Sequence, residues 1–411
     1  MKRSYALLRA LNQEYPRWIR WLASGVGRAW CRLCTGDPVV AGWAGDWFSR
    51  GDFKQGARFS GWCGRVWRPR WRIWRDPFFD FTEGADEALL ARLETILTQR
   101  RSALEGVALG DELYVDARRG HLLLECGCDG EAFASWYGSF VAKANRLLAV
   151  VEEPAIAGET SGGNTGDERR GDFDKEHAAR ALAAFGDVLP LDTWRWYVVS
   201  GTFLGLIREG GFLAHDYDID LGIDGDRVEL CEITQRFRKS NEFVIKKVDS
   251  HIEVRFDHAG TPSVSVLPSL VKLVHRTGIG VDLFLHYRDG NVVWHGSVIH
   301  RWDNHPFQLS EYMLEGARVF GPSDPDRYLT ENYGGWKTPI KEFDCTTGTP
   351  NLVISRNFLS IALFLKRLEY FSRHDAGQYW KLKATLLKNW IVRERNGRLE
   401  LEDIQKTWAA D

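Results

Sequence analysis

Hydrophobic spacing divides the chain into stretches of different period. Between residues 85 and 107, Leu89, Leu90, Leu93, Ile96 and Leu97 recur at the spacing of one helix face. Residues 133–151 and 177–189 read the same way. Two short runs at 112–116 and 121–126 are joined by Arg118-Arg119-Gly120 and predict a β-hairpin. Residues 194–199 predict a strand. The small-residue turn Ser200-Gly201-Thr202 follows it, and a helix opens over 203–208. Residues 357–390 are strongly helical, with Leu359, Ile361, Leu363, Phe364, Leu368 and Phe371 on the apolar side. Core packing explains that last stretch, and no chemistry is assigned to it.

One break interrupts these patterns. Ala157-Gly158-Glu159-Thr160-Ser161-Gly162-Gly163-Asn164-Thr165-Gly166 is small and polar, and a charged run follows. The expected organisation is a smaller α+β region over 1–154, a linker over 155–175, and a second domain over 176–411 with a helical C-terminal part. No internal repeat is visible.

Composition adds a local asymmetry. The 411 residues allow two domains, and 44% hydrophobic with 27% charged residues is ordinary for a globular chain with a core. A net charge of −2 gives no global reason to expect nucleic acid. Residues 1–80, however, hold fifteen Lys/Arg against six Asp/Glu, a local net of +9, and nine of the eighteen tryptophans. Residues 1–35 read as basic and amphipathic, with Arg17, Trp18, Arg20, Trp21, Arg28 and Trp30. Residues 62–75 repeat the flavour with Trp62, Trp67, Arg68, Trp71, Arg72 and Trp74. Indole at headgroup depth beside guanidinium suits an anionic membrane surface. A glycan platform or single-stranded nucleic acid would use the same residues. The plainer alternative is a small core with snorkelling arginines.

Seven cysteines without a disulfide spacing point to reduced thiols. Cys31-Arg32-Leu33-Cys34 is a single C-x-x-C, and zinc would require Cys63 or Cys126/Cys128 beside it. No run of about 18 apolar residues spans a membrane, and the basic start is too short for a signal peptide. The expectation is therefore a cytoplasmic protein, peripheral at the inner face of the membrane if it is attached to one.

The chemistry concentrates in Asp216-Tyr217-Asp218-Ile219-Asp220-Leu221-Gly222. On a strand, alternate residues share one face, so three carboxylates would lie close together. Their repulsion is costly in a partly buried site, and a hard divalent cation relieves it. Gly278-Ile279-Gly280-Val281-Asp282-Leu283-Phe284-Leu285 adds one acid inside an apolar run, the kind of position where Asp is paired or bound to metal. Backbone N–H groups at the Ser200-Gly201-Thr202 turn can bind phosphate oxygens, with Arg208 as a charged fork. A calcium loop numbered from Asp216 fails at its sixth and twelfth positions, Leu221 and Arg227. A solvated strand face is the other plain alternative. Asp216 reads as a third ligand or as an acceptor orienting Arg208 or His215, and the second role is favoured. The histidines at 286, 295, 300 and 305, in what reads as a loop-rich stretch, are expected to be surface or structural groups rather than a general base.

Three ordered motifs resemble the LicD/fukutin family of phosphotransferases, which has the polymerase-β-like nucleotidyltransferase fold. The first is Ser200-Gly201-Thr202-Phe203-Leu204-Gly205-Leu206-Ile207-Arg208-Glu209-Gly210-Gly211-Phe212. The second is His215-Asp216-Tyr217-Asp218-Ile219-Asp220-Leu221-Gly222. The third is Tyr328-Leu329-Thr330-Glu331-Asn332-Tyr333-Gly334-Gly335-Trp336-Lys337-Thr338-Pro339. The strand ending at Asp282 is similar to a fourth family segment. Together they cover roughly residues 190–340. The chain departs from the pattern at His215, where Trp is usual, and at Tyr217, where Asp is usual.

The resemblance implies an α+β fold with a mixed sheet. It implies that Asp218, Asp220 and Asp282 are catalytic and hold two Mg²⁺ or Mn²⁺ ions. It places Ser200, Gly201 and Thr202 on the donor phosphates, and Arg208, Asp216 and Trp336 near donor or acceptor. It also implies transfer of phosphocholine or a polyol phosphate such as ribitol phosphate, from a CDP-linked donor to a glycan or polysaccharide at the cell surface. Two rivals stand beside that expectation. One is transfer of the nucleotide itself to a small molecule or protein. The other is a non-catalytic relative that binds glycan or membrane.

Overall fold

The computed structural model describes residues 16–67, 79–104, 106–127, 130–155, 174–214, 216, 218–339 and 349–409. Most of the expected linker, and residues 68–78 of the second Trp/Arg stretch, lie outside the described residues, as do His215 and Tyr217. The chain forms two compact units. One takes 161–252 and 266–355. The other takes 10–160, 253–265 and 356–411.

The second of these units is helical through its N-terminal part: α1 (Arg17–Thr35), α2 (Pro38–Ser49), α3 (Phe53–Trp67), α4 (Glu87–Leu104), α5 (Gly106–Glu125) and α6 (Gly130–Leu148). Asp37 caps α2 by accepting from the N–H groups of Val39 and Val40 at 2.9 and 3.1 Å. No strand occurs among the described residues of 16–155, so the expected α+β character of this region is corrected to helical. The expected hairpin is also corrected, because both of its arms, all but Cys126, lie within α5. Gly120, which read as its turn, is a packing site. A Cβ there would lie 1.9 Å from Trp136 Cζ2 of α6, so only glycine lets the indole rest on the helix. Trp136 Nε1 also donates to the Asp116 carbonyl at 3.0 Å. Trp62 is buried, stacked on Phe59 and Phe81, as the plainer alternative of a small core requires. Cys31, Cys34 and Cys63 are buried too, and among the described residues no four-ligand set for zinc gathers around them.

The strand-rich unit begins with α7 (Lys175–Val188). The sheet strands and their helices come next: β1 (Tyr197–Val198), α8 (Ser200–Glu209), β2 (Asp218–Asp224), α9 (Leu230–Lys239), β3 (Phe243–Phe256), β4 (Pro262–His275), β5 (Gly280–Asp289), β6 (Val292–Gly296), β7 (His300–Asn304), β8 (Leu309–Leu314), β9 (Ala317–Pro322), α10 (Pro325–Tyr333) and β10 (Leu352–Ile354). The tip of the β3–β4 pair, 253–265, is counted with the helical unit. The sheet order is β10-β7-β6-β5-β2-β1-β9-β8. It is mixed, with β2 parallel to β5 and β1 parallel to β9, while β1 and β2 are antiparallel. β4 lies along the first half of β5 and β6 along its second half. Residues 286, 295 and 300 therefore sit in strands rather than in loops, and all three histidines are buried.

Alternation decides which face is core. Ile219, Leu221 and Ile223 of β2, Val281, Leu283 and Leu285 of β5, and Val271 and Leu273 of β4 are all buried in one hydrophobic cluster. The opposite face of the same three strands carries the acids.

The chain ends in α11 (Phe358–His374), α12 (Ala376–Lys388) and the hairpin β11 (Val392–Arg395) and β12 (Arg398–Leu401). The stretch expected to be helical over 357–390 forms two helices separated at Asp375, which caps α12 by accepting from the Gln378 N–H at 3.0 Å. This C-terminal part groups with the helical unit, not with the strand-rich unit that precedes it. The reason is packing. The buried Lys366 ammonium of α11 meets Asp111 of α5 at 2.6 Å, and Phe358 lies among Phe133, Trp136 and Phe140 of α6.

Candidate active site

Strand register builds the site. Asp220 of β2 stands directly opposite Asp282 of the parallel β5, and Asp282 stands opposite Lys272 of the antiparallel β4. Three charged side chains therefore form one row across three neighbouring strands. Asp218 shares the face of Asp220, two residues earlier. Carboxylate oxygens of Asp218, Asp220 and Asp282 all lie within 4.8 Å of one another. Among the described residues no other three His, Cys, Asp or Glu side chains meet in this way. Lys272 Nζ donates directly to Asp282 Oδ2.

The later part of that face differs, and a cavity of about 530 Å³ is lined there by Tyr197, Asp224 and His286. Beyond the acids it carries Phe284 and His286 of β5, with Tyr197 of β1 opposite Gly222. Tyr197 and His286 rings are 5.3 Å apart, and Phe284 and His295 rings 4.9 Å. The acid row thus occupies the beginning of β2 and β5, and Tyr197, Phe284 and His286 with Asp224 at the end of β2 occupy the later part.

α8 supports the row from below. The Gly201 N–H donates to Asp220 Oδ2 at 3.0 Å. The buried Thr202 hydroxyl accepts from the Asp220 N–H at 2.8 Å, and the Val199 N–H donates to the Asp220 carbonyl at 3.1 Å. A Cβ on Gly201 would lie 3.3 Å from both Asp216 oxygens and from Asp220 Oδ2, so the two carboxylates crowd that position. Ser200 takes a left-handed φ of 45°. For a residue with a Cβ that costs on the order of 1 kcal/mol, and such strain gathers at functional sites.

Electrostatics reflect this crowding. Burial, then the charge of Asp282, pushes the Asp218 carboxyl up to about 6, against the opposing pull of Lys272 and Lys246. Burial raises Asp220 well above the usual carboxylate range, with Asp218, Asp216 and Asp282 adding to it and the Gly201 N–H opposing. Burial works against the Lys272 charge. Asp282, Asp218 and Asp220 together outweigh that cost, and the net shift of the ammonium is upward.

Of the residues singled out in the sequence, Ser200, Gly201, Thr202, Asp216, Asp218, Asp220 and Asp282 meet around this row. Asp216 precedes β2 rather than lying on it, and faces Gly201. Arg208 and Trp336 meet each other. The Arg208 guanidinium donates to the Trp336 carbonyl at 3.2 Å and pairs with Glu209, while Lys337 lies 5.3 Å above the Trp336 ring. Of the expected histidines, His305 alone is exposed, paired with Glu331 at 2.6 Å. Lys272 is the charged neighbour that sequence reading missed. Its signal was available: one charge inside Leu270-Val271-Lys272-Leu273-Val274, the same pattern that exposed Asp282.

Alternating acids on a strand are thus held by the start of the helix that precedes it and joined by an acid on the parallel neighbour. Residues 193–324 match the family model described as LicD/FKTN/FKRP, nucleotidyltransferase domain. The family matched over this region is the one its motifs resemble. The chain is similar to a Mus musculus protein named Ribitol-5-phosphate transferase FKTN, 25% identical over 166 residues. That match covers 38% of this chain and 32% of the mouse protein. It is also similar to Uncharacterized protein RP689 of Rickettsia prowazekii (strain Madrid E), 23% identical over 159 residues, covering 36% of this chain and 51% of that one. The chain thus spans about a third and about half of the lengths of these two relatives.

Proposed function

We propose that this chain is a transferase that moves a phospho-substituent from a CDP-activated donor to a sugar hydroxyl of a glycan or polysaccharide. The observation that carries the reading is the meeting of Asp218, Asp220 and Asp282 within a region that matches a nucleotidyltransferase domain. The donor set fits a hard divalent cation. It offers carboxylate oxygens alone, and burial with mutual repulsion has raised the proton affinity of two of them. Mg²⁺ or Mn²⁺, in a two-ion arrangement on Asp218, Asp220 and Asp282, is the cofactor proposed. When bound, it would supply charge neutralisation for the donor diphosphate.

The chain's own residues have separate tasks. Gly201 and Thr202 hold Asp220 in place through its carboxylate and its N–H. Lys272 holds Asp282. Ser200, at the start of α8, and the Arg208 guanidinium are the groups proposed for donor phosphates. The Trp336 carbonyl holds the Arg208 guanidinium, and Asp216 packs beside Gly201. One of the acids accepts the proton of the attacking hydroxyl, and CMP leaves. The name of the mouse relative favours ribitol phosphate as the group transferred, and phosphocholine is the other candidate.

A second reading is favoured by the wording of the family description: transfer of the nucleotide itself. Incubation of the full chain with CDP-linked donors, Mn²⁺ and glycan acceptors separates the two. CMP release with a phospho-substituted acceptor supports the main reading. A nucleotide-labelled acceptor supports the second. Neither product, together with no Mn²⁺ binding by calorimetry, would leave a non-catalytic relative.

A further inference from the structure

Helix α1 is buried on one side by small residues and exposed on the other by large apolar ones. Ser24, Gly27, Cys31 and Cys34 form its buried face. Trp18 is 63% exposed and Trp21 74%, and Leu22, Val26 and Leu33 are exposed as well. At about 100° per residue these five side chains fall within an arc of roughly 140°, opposite the buried face. Exposed Gly25 and Ala29 lie within the same arc, and the one polar side chain inside it is Arg32, close to its Trp21 edge. The strip runs for about 24 Å along the helix.

The charge of this helix has one sign. α1 carries Arg17, Arg20, Arg28 and Arg32 and no acid. Arg17 and Arg32 are exposed along the Trp21 edge of the strip, while Arg28 reaches across to α2 and pairs with Asp46 at 3.1 Å. An aqueous protein surface does not ordinarily present five large apolar side chains in one row. A row of that kind, with two indoles at one end and guanidinium groups along its border, matches the requirements of a helix lying in the plane of a bilayer surface. No helix among the described residues is long and apolar enough to cross a membrane.

We propose that the exposed face of α1 is a docking surface for an anionic lipid bilayer. Trp18, Trp21, Leu22, Val26 and Leu33 enter the acyl–headgroup boundary, and Arg17 and Arg32 meet lipid phosphates. Charge complementarity selects this occupant over a second copy of the chain, because two such faces brought together would juxtapose like-charged arginines. It does not depend on the transferase reading, since none of these residues belongs to the acid row.

The test is co-sedimentation of the full chain with phosphatidylglycerol-containing vesicles and with pure phosphatidylcholine vesicles, at low and high salt. The expected result is binding to the anionic vesicles that weakens as salt rises. Trp18→Ala/Trp21→Ala should reduce partitioning at least about tenfold, and Arg17→Gln/Arg32→Gln about fivefold per arginine removed. Leu22→Glu on the same face should act like the tryptophan pair. Met313→Glu, an exposed apolar position in β8, should change nothing. Absent binding, equal binding to both vesicle types, or binding indifferent to the α1 variants would overturn the proposal. So would a dimer in solution that Leu22→Glu dissociates in a chain that ignores vesicles.

Discussion

The N–H of Gly201 donates to the Asp220 carboxylate at 3.0 Å, so the first turn of α8 holds an acid of the neighbouring strand. Gly201 therefore does two things at once. It supplies the donor, and its missing side chain leaves room for the Asp216 and Asp220 oxygens, each 3.3 Å from where a Cβ would stand. Gly201→Ala is expected to displace Asp220 and lower turnover by about tenfold to a hundredfold, because small misplacements at a reacting centre are costly. Thr202→Val should act by another route. It leaves the Asp220 N–H without its 2.8 Å acceptor in a buried position, at a cost of about 1–3 kcal/mol. Turnover together with thermal melting separates the two variants.

Lys272 occupies Asp282, and a cation on the acid row must share that carboxylate with it. Lys272→Met removes one positive charge from the row. Without metal, the variant should melt at a lower temperature than wild type, because three acids then face one another with less compensation. Its affinity for Mn²⁺ should rise by roughly tenfold, the effect of removing one competing charge in a partly screened site. Titration calorimetry reads the second effect and a melting curve the first.

The buried histidines give the protein a pH response of known sign. Burial pushes His286 down to about 4, against a weak hydrogen bond from its Nδ1 to the Phe284 carbonyl at 3.3 Å. Its folded-state pKa lies below the unfolded value of about 6.5. The unfolded chain then binds the extra proton first, and stability falls as pH drops from about 6.5 to about 4. The loss from this one group reaches about 3 kcal/mol at the acid end. Burial lowers His295 as well, in the same direction. Asp218, pushed up to about 6, contributes with the opposite sign over part of this window. A comparison with His286→Phe isolates the histidine: wild type should lose more stability than the variant between pH 6.5 and pH 4.

Gly120 predicts the behaviour of the helical unit. Gly120→Ala places a methyl group where the Trp136 indole now rests, and the crossing of α5 and α6 must open. A loss of about 1–3 kcal/mol or more is expected, read as a lower melting temperature. Gly138→Ala, where a Cβ meets nothing within 4 Å, serves as the control and should be nearly neutral or slightly stabilising.

Gly120 also shows where sequence reading failed. A glycine after two arginines reads as a turn, and the flanking apolar runs are too short to reveal their helical period. Only the distant Trp136 explains it. The acid row was legible for the opposite reason. Asp218, Asp220 and Asp282 each stand inside aliphatic runs, and an acid in such a run needs a local cause. Lys272 carries the same signal and was passed over, since a lysine in an apolar run often extends its ammonium to solvent. Strand register turned it toward Asp282, and register between β4 and β5 cannot be read from either segment alone. Asp375 is a similar case. As a residue in a long helical pattern it is unremarkable, yet it ends α11 and caps α12. The grouping of α11 with α5 rests on Lys366 and Asp111, 255 positions apart, which no local pattern announces.

The most direct measurement is CMP release by Asp220→Asn against wild type, with CDP-linked donors, Mn²⁺ and a glycan acceptor. Asparagine keeps the shape that Gly201 and Thr202 hold and removes the charge. A loss of about a hundredfold to a thousandfold, with a melting temperature no lower than that of wild type because one repelling charge is gone, is the predicted result. Turnover within about threefold of wild type would contradict the assignment of the acid row as the reacting centre.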